Sequence, residues 1–531
     1  MKNTNTTKEA LFPVSSSKYP YSNSSLSSDS KPYLAAREET RLTLRKRRLD
    51  DHLLKKREEL LRQRNTRSKY EISISTLSLP NEITAETFQS SKDFVNKMIA
   101  YLQSNSIDIK KYAILKLREA TVRQEAIDEM YQYNIVDYLF PLMNDNAQDD
   151  TIVYEVLWVL INVTTKYTTP EMVSKLLSEY SYNFYVNAFS KNVPDVKENI
   201  LWLLSNVTFD NPTAAMSLMK SAFIRDKLIP YLKEEESIVK TILRQSLLLL
   251  STIAGFLNYD SHIYKVDAKY AQTEAEIAKM FCTFIDADPC FVNDCLYGLA
   301  KISSSNNQKV HEIIFESGIV RRIIKNEFNF ENFLTDIIRL IGNYLSNIEN
   351  SSIIDKIFSK EIITFLGGYI VNSADSCIVH DSLWALSNMC CGTQDQMNLV
   401  IDSNLVPILI SKCKGPNNLV GFEAVYCLSN LATCEDVNII IKISQYDIIE
   451  VFLSVVDKYW QNRECIKVIV QAFLSMFNEG QKILTQTGNV NIFVKQFWEK
   501  GGKDILDKLQ NYQDNLIYEM VSEMINNYFS Y

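Results

Sequence analysis

Four pairs of residues, Trp158 with Asn162, Trp202 with Asn206, Trp384 with Asn388 and Tyr426 with Asn430, repeat an aromatic ring and an amide at one spacing. On a helix that spacing stacks the two side chains on a single face. An amide carries a donor and an acceptor, so it can hold the N–H and C=O of one peptide unit of an extended chain. Adjacent ring faces form slots for the aliphatic stems of Lys and Arg, with a cation–π contribution of about 0.5–2 kcal/mol per site. The carboxylates nearest these pairs in the sequence, Glu155, Glu198, Asp210, Asp381 and Glu423, are suited to meet the charged heads. The competing reading is packing. A lone Trp on a helix is more often core than platform, and any one of these acids is as readily a solvated surface group. A buried Asn costs free energy unless it is satisfied, and four copies at one phase favour a binding ladder for the set.

The elements that must carry such a ladder are visible as a repeat. Aligned on the LWLLSN segment around Trp202, the aromatic position recurs at Leu115, Trp158, Trp202, Leu248, Tyr297, Arg339, Trp384, Tyr426 and Gln471. The successive steps are 43, 44, 46, 49, 42, 45, 42 and 45 residues. A period in the forties with helical patterning matches units of two or three short helices that cannot bury their apolar faces alone and therefore stack. Residues such as Leu157, Leu160, Leu201 and Leu204 point away from the ladder and pack the core. The weak pattern after Asn489 leaves room for a tenth, capping unit. Propeller blades share the period but need strand alternation and frequent turns, which 13 Gly and 12 Pro in 531 residues do not supply.

Charge is divided unevenly. Between Lys31 and Lys69 there are fourteen Lys/Arg against six Asp/Glu, an excess of +8, so a chain of net charge −8 carries about −16 elsewhere. A basic arm attached to an acidic body implies a body that binds cationic partners and an arm able to compete for it. Residues 1–30, rich in Ser, Asn and Thr, read as a disordered tail. Residues 31–69 read as a basic amphipathic arm, 70–88 as a linker, 89–500 as the repeats and 501–531 as capping helices.

LWxLSN at this period, behind LRKRRLDDHLLKKRE, resembles the importin alpha (karyopherin alpha) family over about residues 37–500. The resemblance implies an all-α fold: a right-handed superhelical solenoid of about nine to ten armadillo repeats with a basic N-terminal arm. It implies a nuclear import adaptor shuttling between cytoplasm and nucleus, whose partners are importin beta, cargo with Lys/Arg-rich nuclear localisation signals, and an export receptor of the importin-beta class. It makes Trp158, Asn162, Trp202, Asn206, Asp210, Glu155 and Glu198 a major signal-binding site. A minor site would comprise Tyr297, Arg339, Asp381, Trp384, Asn388, Glu423, Tyr426 and Asn430. Arg45, Lys46, Arg47 and Arg48 would face importin beta, and Lys55, Lys56 and Arg57 would mimic a signal in the empty groove.

The chain departs from the family pattern at four places. The fourth unit has Leu248 and Thr252 where Trp and Asn are expected, Tyr426 replaces a Trp, and Glu58 and Glu59 follow the signal-like cluster. These changes imply altered cargo preference and weak autoinhibition. The other readings are a general armadillo scaffold for extended peptides, and for the arm alone an RNA- or membrane-binding helix. No enzyme is expected. His52, His262, His311 and His380 are scattered, no phosphate loop or nucleophile elbow occurs, and the ten cysteines lack metal-ligand spacing. The expectation is accordingly no cofactor, no metal, no direct nucleic acid and no membrane insertion, in a reducing compartment.

Overall fold

A computed structural model describes residues 70–529, apart from 85–86, 210, 235–236, 257–267, 306, 326, 328–333, 347–359 and 488–489. The basic arm, with Arg45, Lys46, Arg47, Arg48, Lys55, Lys56 and Arg57, and the carboxylate Asp210 lie outside the described residues.

The described residues form helices and turns, with no strand. Each of the nine aligned segments falls on a helix, labelled in chain order α1 (Ile107–Ala120), α2 (Asp150–Lys166), α3 (Pro194–Thr208), α4 (Lys240–Ala254), α5 (Val292–Ile302), α6 (Leu334–Ser346), α7 (Ser376–Met389), α8 (Asn418–Ala432) and α9 (Arg463–Thr487). Several of these helices begin where short polar side chains take up orphan N–H groups. Asp149 accepts from the amides of Thr151 and Ile152 at the start of α2, Asp375 from Cys377 at α7, and Asn417 from Val420 at α8. Proline serves the same end at position 194, where its missing N–H is no loss at the start of α3.

Further helices complete the repeats. Gln124–Gln132 and Val136–Asp145 precede α2, Pro170–Leu176 and Glu179–Phe189 precede α3, and Gln394–Asp402 and Val406–Lys414 precede α8. The labelled helices pack in sequence, α1 on α2 and onward to α8 on α9, giving a continuous layer. Because each is flanked on two sides by its neighbours and on a third by its own repeat, it is apolar over most of its surface: Leu157, Leu160, Leu201 and Leu204 are fully buried. Burial of each such side chain contributes about 1.5–3 kcal/mol. This is an all-α armadillo-repeat solenoid.

Beyond α9, Ile492–Glu499, Gly502–Leu509 and α10 (Asn515–Tyr528) have the helix order of another repeat, and α10 packs on α9. A division at residue 500 therefore cuts through this tenth unit. Phe529, just after α10, meets Phe477 and Phe497 and stacks on Trp498, sealing the end with aromatic contacts.

Candidate functional site on the stacked helices

Consecutive labelled helices are joined by amides that reach backward. Asn206 Nδ2 on α3 donates to the Ile161 carbonyl (3.0 Å) and lies within reach of the hydroxyls of Thr165 (3.0 Å) and Thr164 (3.3 Å) on α2. Asn343 Nδ2 donates to Ala300 O and Ser303 Oγ, each at 3.0 Å. Asn388 donates to Gly342 O at 2.9 Å, Asn430 to Ser387 O at 2.9 Å, and Asn162 to Thr121 Oγ1 at 2.7 Å. The helical spacing places every one of these amides over the C-terminal half of the preceding repeat's helix or its cap. The sequence reading reserved both ends of each amide for a peptide. The structure instead commits Nδ2 to the neighbouring repeat, where a buried polar group must find a partner. The Oδ1 atoms of Asn206 and Asn343 find no donor among the described residues and remain as acceptors.

The aromatic positions are less open than an exposed ladder requires. Trp202 and Trp384 are 1% exposed, Tyr297 and Tyr426 are also buried, and Trp158 alone of the three Trp is partly open. Trp158 stacks on Tyr154 and meets Trp202 edge-on, with ring centroids 6.2 and 6.4 Å apart. Trp384 lies on the backbone of α6 at Gly342, where an added Cβ would sit 2.1 Å from the ring. The stacking of repeats explains this placement: an indole one turn from the inter-repeat amide is drawn against the adjacent helix.

The carboxylates divide into two settings. Glu155 on α2 is fully buried; its Oε1 accepts from Ile72 N (2.9 Å) and its Oε2 faces Arg118 Nε at 3.1 Å. Burial pushes its carboxyl up to about 7 despite the nearby guanidinium. Arg118 also pairs with Glu71 at 3.3 Å, and Ser78 N donates to Asp108 Oδ2 on α1. The stretch assigned as a linker is thus docked on α1 and α2, and Glu155 is engaged within the chain rather than turned to a ligand. Glu198, on α3, is half-buried.

The second setting spans α6, α7 and α8. Arg339 Nε lies 3.5 Å from Asp381 Oδ2, His380 Nδ1 lies 3.0 Å from Asp381 Oδ1, and His380 Nε2 lies 3.7 Å from Glu423 Oε1. Asp381, Arg339, Trp384, Asn388, Glu423, Tyr426 and Asn430 are therefore brought onto three adjacent helices, whereas Tyr297 stands one repeat earlier, on α5.

The sequence reading missed His380, Asn343, Arg118 and Lys301. Asn343 was legible, since IRLIGN carries the amide at the same offset from Arg339. Lys301 holds that offset on α5, its ammonium 5.4 Å from the Tyr297 ring centroid. Asp381 is the sequence neighbour of His380, but Glu423, its second partner, and Glu155, the buried partner of Arg118, are contributed by other repeats, and no local pattern marks them. In the fourth repeat Thr252 bonds its own Leu248 carbonyl at 3.0 Å, so the expected amide link is replaced by a contact within the helix. Among the described residues no group of three or more His, Cys, Asp or Glu is arranged for a metal, and no helix is long and apolar enough to cross a membrane.

Stacked repeats joined through their third helices define an armadillo-repeat protein. An engineered protein of known crystal structure aligns with 82% of this chain and 99% of its own at TM-score 0.64 and 17% identity, a likeness of fold. A designed armadillo repeat protein solved with the peptide (KR)4 covers 47% of this chain at TM-score 0.39 and 18% identity.

Within that class the curated homologues are importin alpha subunits, and the chain is a divergent relative of theirs. Importin subunit alpha-1a of Oryza sativa subsp. japonica is 21% identical over 382 residues, 71% of this chain and 66% of its own length. Importin subunit alpha-6 of Arabidopsis thaliana is 23% identical over 291 residues, 54% of this chain and 49% of its own. The matched stretches thus span from about half to just under two thirds of these relatives. No family model matches the chain. The relatives indicate no catalytic family.

Proposed function

We propose that this chain is a nuclear import adaptor that binds Lys/Arg-rich localisation signals along the layer of labelled helices. Residues 31–69 would link it to importin beta, with Arg45–Arg48 facing that partner and Lys55–Arg57 competing with cargo. An export receptor of the same class would return it to the cytoplasm, so that it shuttles between the two compartments. A tail to residue 30, an arm to 69 and a linker to 88 belong to this proposal. The observation that carries it is the conjunction on α6–α8 of regularly spaced rings and amides with the carboxylates Asp381 and Glu423, beside relatives that are importin alpha subunits. Two acids on adjacent helices suit successive cations of an extended peptide, which has side chains on alternate faces.

The test is fluorescence-anisotropy titration of a labelled Lys/Arg-rich peptide into the full chain and three variants. Trp384→Ala with Asn388→Ala should weaken binding by about tenfold or more, as should Trp202→Ala with Asn206→Ala for a single-cluster peptide. Replacing Lys55, Lys56 and Arg57 by Ala should tighten it. Rising salt should weaken all of these affinities. Salt-independent binding of neutral extended peptides would instead favour a general armadillo scaffold without an import role.

A further inference from the structure

His380 occupies an unusual place in the α6–α8 cluster. Asp381 and Glu423, the two acids proposed above to meet peptide cations, face opposite nitrogens of its ring, at 3.0 and 3.7 Å. Asp381 is held from its other oxygen by Arg339 at 3.5 Å. The four side chains form one ionic chain across three consecutive helices, with side-chain exposures of 8% (Arg339), 9% (Asp381), 15% (His380) and 10% (Glu423). Such shielding keeps the interactions from being screened away by salt. Asp336 on α6, Lys360 and Glu361 on the helix Lys360–Asn372, and Asp395 and Asp402 on Gln394–Asp402 complete the charged groups of the elements packed around α7; none is within ion-pair distance of the imidazole.

We propose that His380 determines the ligand preference of this site by acting as a proton-dependent competitor for the cations of a bound basic peptide. The inference rests on the basic-peptide reading of the site. With the imidazole neutral, two carboxylates stand against one guanidinium, a formal charge of −1. With the imidazole protonated the sum is zero, and both acids have an internal cation to face. Histidine is the side chain whose charge ordinarily changes between about pH 5 and 8. A neutral imidazole therefore leaves the site suited to a basic peptide, and a protonated one competes with it. The early repeats hold no counterpart, since the described labelled helices α1–α5 contain no histidine.

The experiment uses the full chain carrying Trp158→Ala and Asn162→Ala, which disables the early repeats at their most open position, and a fluorescent peptide whose only cations are Arg. Its affinity is measured at about pH 8 and about pH 5.5, with circular dichroism confirming the same helix content. The expected result is a loss of about 5- to 10-fold on acidification, absent when His380→Gln is added. His380→Lys, a permanent internal cation, should bind weakly at both pH values. An unchanged pH response in His380→Gln, or no response in its parent, overturns the role of His380 while leaving the site a basic-peptide site. No binding at either pH, by these variants or by the unsubstituted chain, overturns the basic-peptide reading and the inference with it.

Discussion

The early repeats around α2 and α3 and the late repeats around α6, α7 and α8 carry the same ring-and-amide pattern and use their charges differently. In the early repeats the buried acid Glu155 is engaged by Arg118 and by the backbone of Ile72, so it fastens the stretch ahead of the repeats onto the solenoid. In the late repeats Asp381 and Glu423 belong to a chain of charges that crosses repeat boundaries and includes an imidazole. One motif thus stands in two settings: repetition supplies the frame, and the acid one turn ahead of the ring meets different partners in each.

The comparison can be broken most sharply through the rings. Trp384→Ala removes a buried indole seated on Gly342 and should cost about 3–5 kcal/mol, whereas Trp158→Ala, at a partly open position, should cost distinctly less. Urea denaturation of both variants measures this, and equal losses would mean that the two rings are equally embedded.

Next in size is the response of Glu155 to pH. Its folded-state carboxyl, raised to about 7 from an ordinary 4.5, holds its proton more tightly than the unfolded chain does. Its contribution is therefore fully present below about pH 4.5 and is lost as pH rises through about 7, by about 3 kcal/mol in all. Glu155→Gln should flatten that slope in denaturant midpoints measured across the range. An unaltered slope would show that the acid is solvated. The ionic chain around Asp381 should be insensitive to this substitution.

Smaller effects sharpen the picture of the inter-repeat links. Gly342→Ala should destabilise by about 1–3 kcal/mol, because its Cβ would meet the Trp384 ring, while Gly368→Ala, with nothing within 4 Å, should be neutral or stabilise by up to about 1 kcal/mol. Asn206→Ala should cost about 1–3 kcal/mol through the acceptors it leaves on α2, and Thr252→Ala less than about 1 kcal/mol, since its bond lies within its own helix. Thermal unfolding of the four variants ranks them, and a reversed order for the last pair would remove the distinction between linked and unlinked repeats.

The fold was legible because the repeat unit is a local pattern: nine segments from Leu115 to Gln471 carried the period, and each lies on a helix. The apolar members between ring and amide, such as Leu201 and Leu204, pointed to the core for the same reason. What the amides do was not legible. Asn206 and Asn388 look equally suited to a peptide and to a neighbouring helix, and only the rise from one repeat to the next sets Ile161 O and Gly342 O within reach. The fate of Glu155 was hidden for a related reason, since Ile72 lies 83 residues away and nothing in its local sequence marks it as a partner. His380 was set aside as one of four scattered histidines, and its meaning comes from Glu423 on the next repeat.

The Thr252 substitution has a mechanical consequence. Links from α3 back to α2, and from α8, α7 and α6 to their predecessors, act like rivets between plates, and each resists shear between two repeats only. Where Thr252 turns its hydroxyl to Leu248 the rivet between α4 and α3 is missing. Shear between α4 and α3 is borne there by the packing of their apolar side chains rather than by an amide bond.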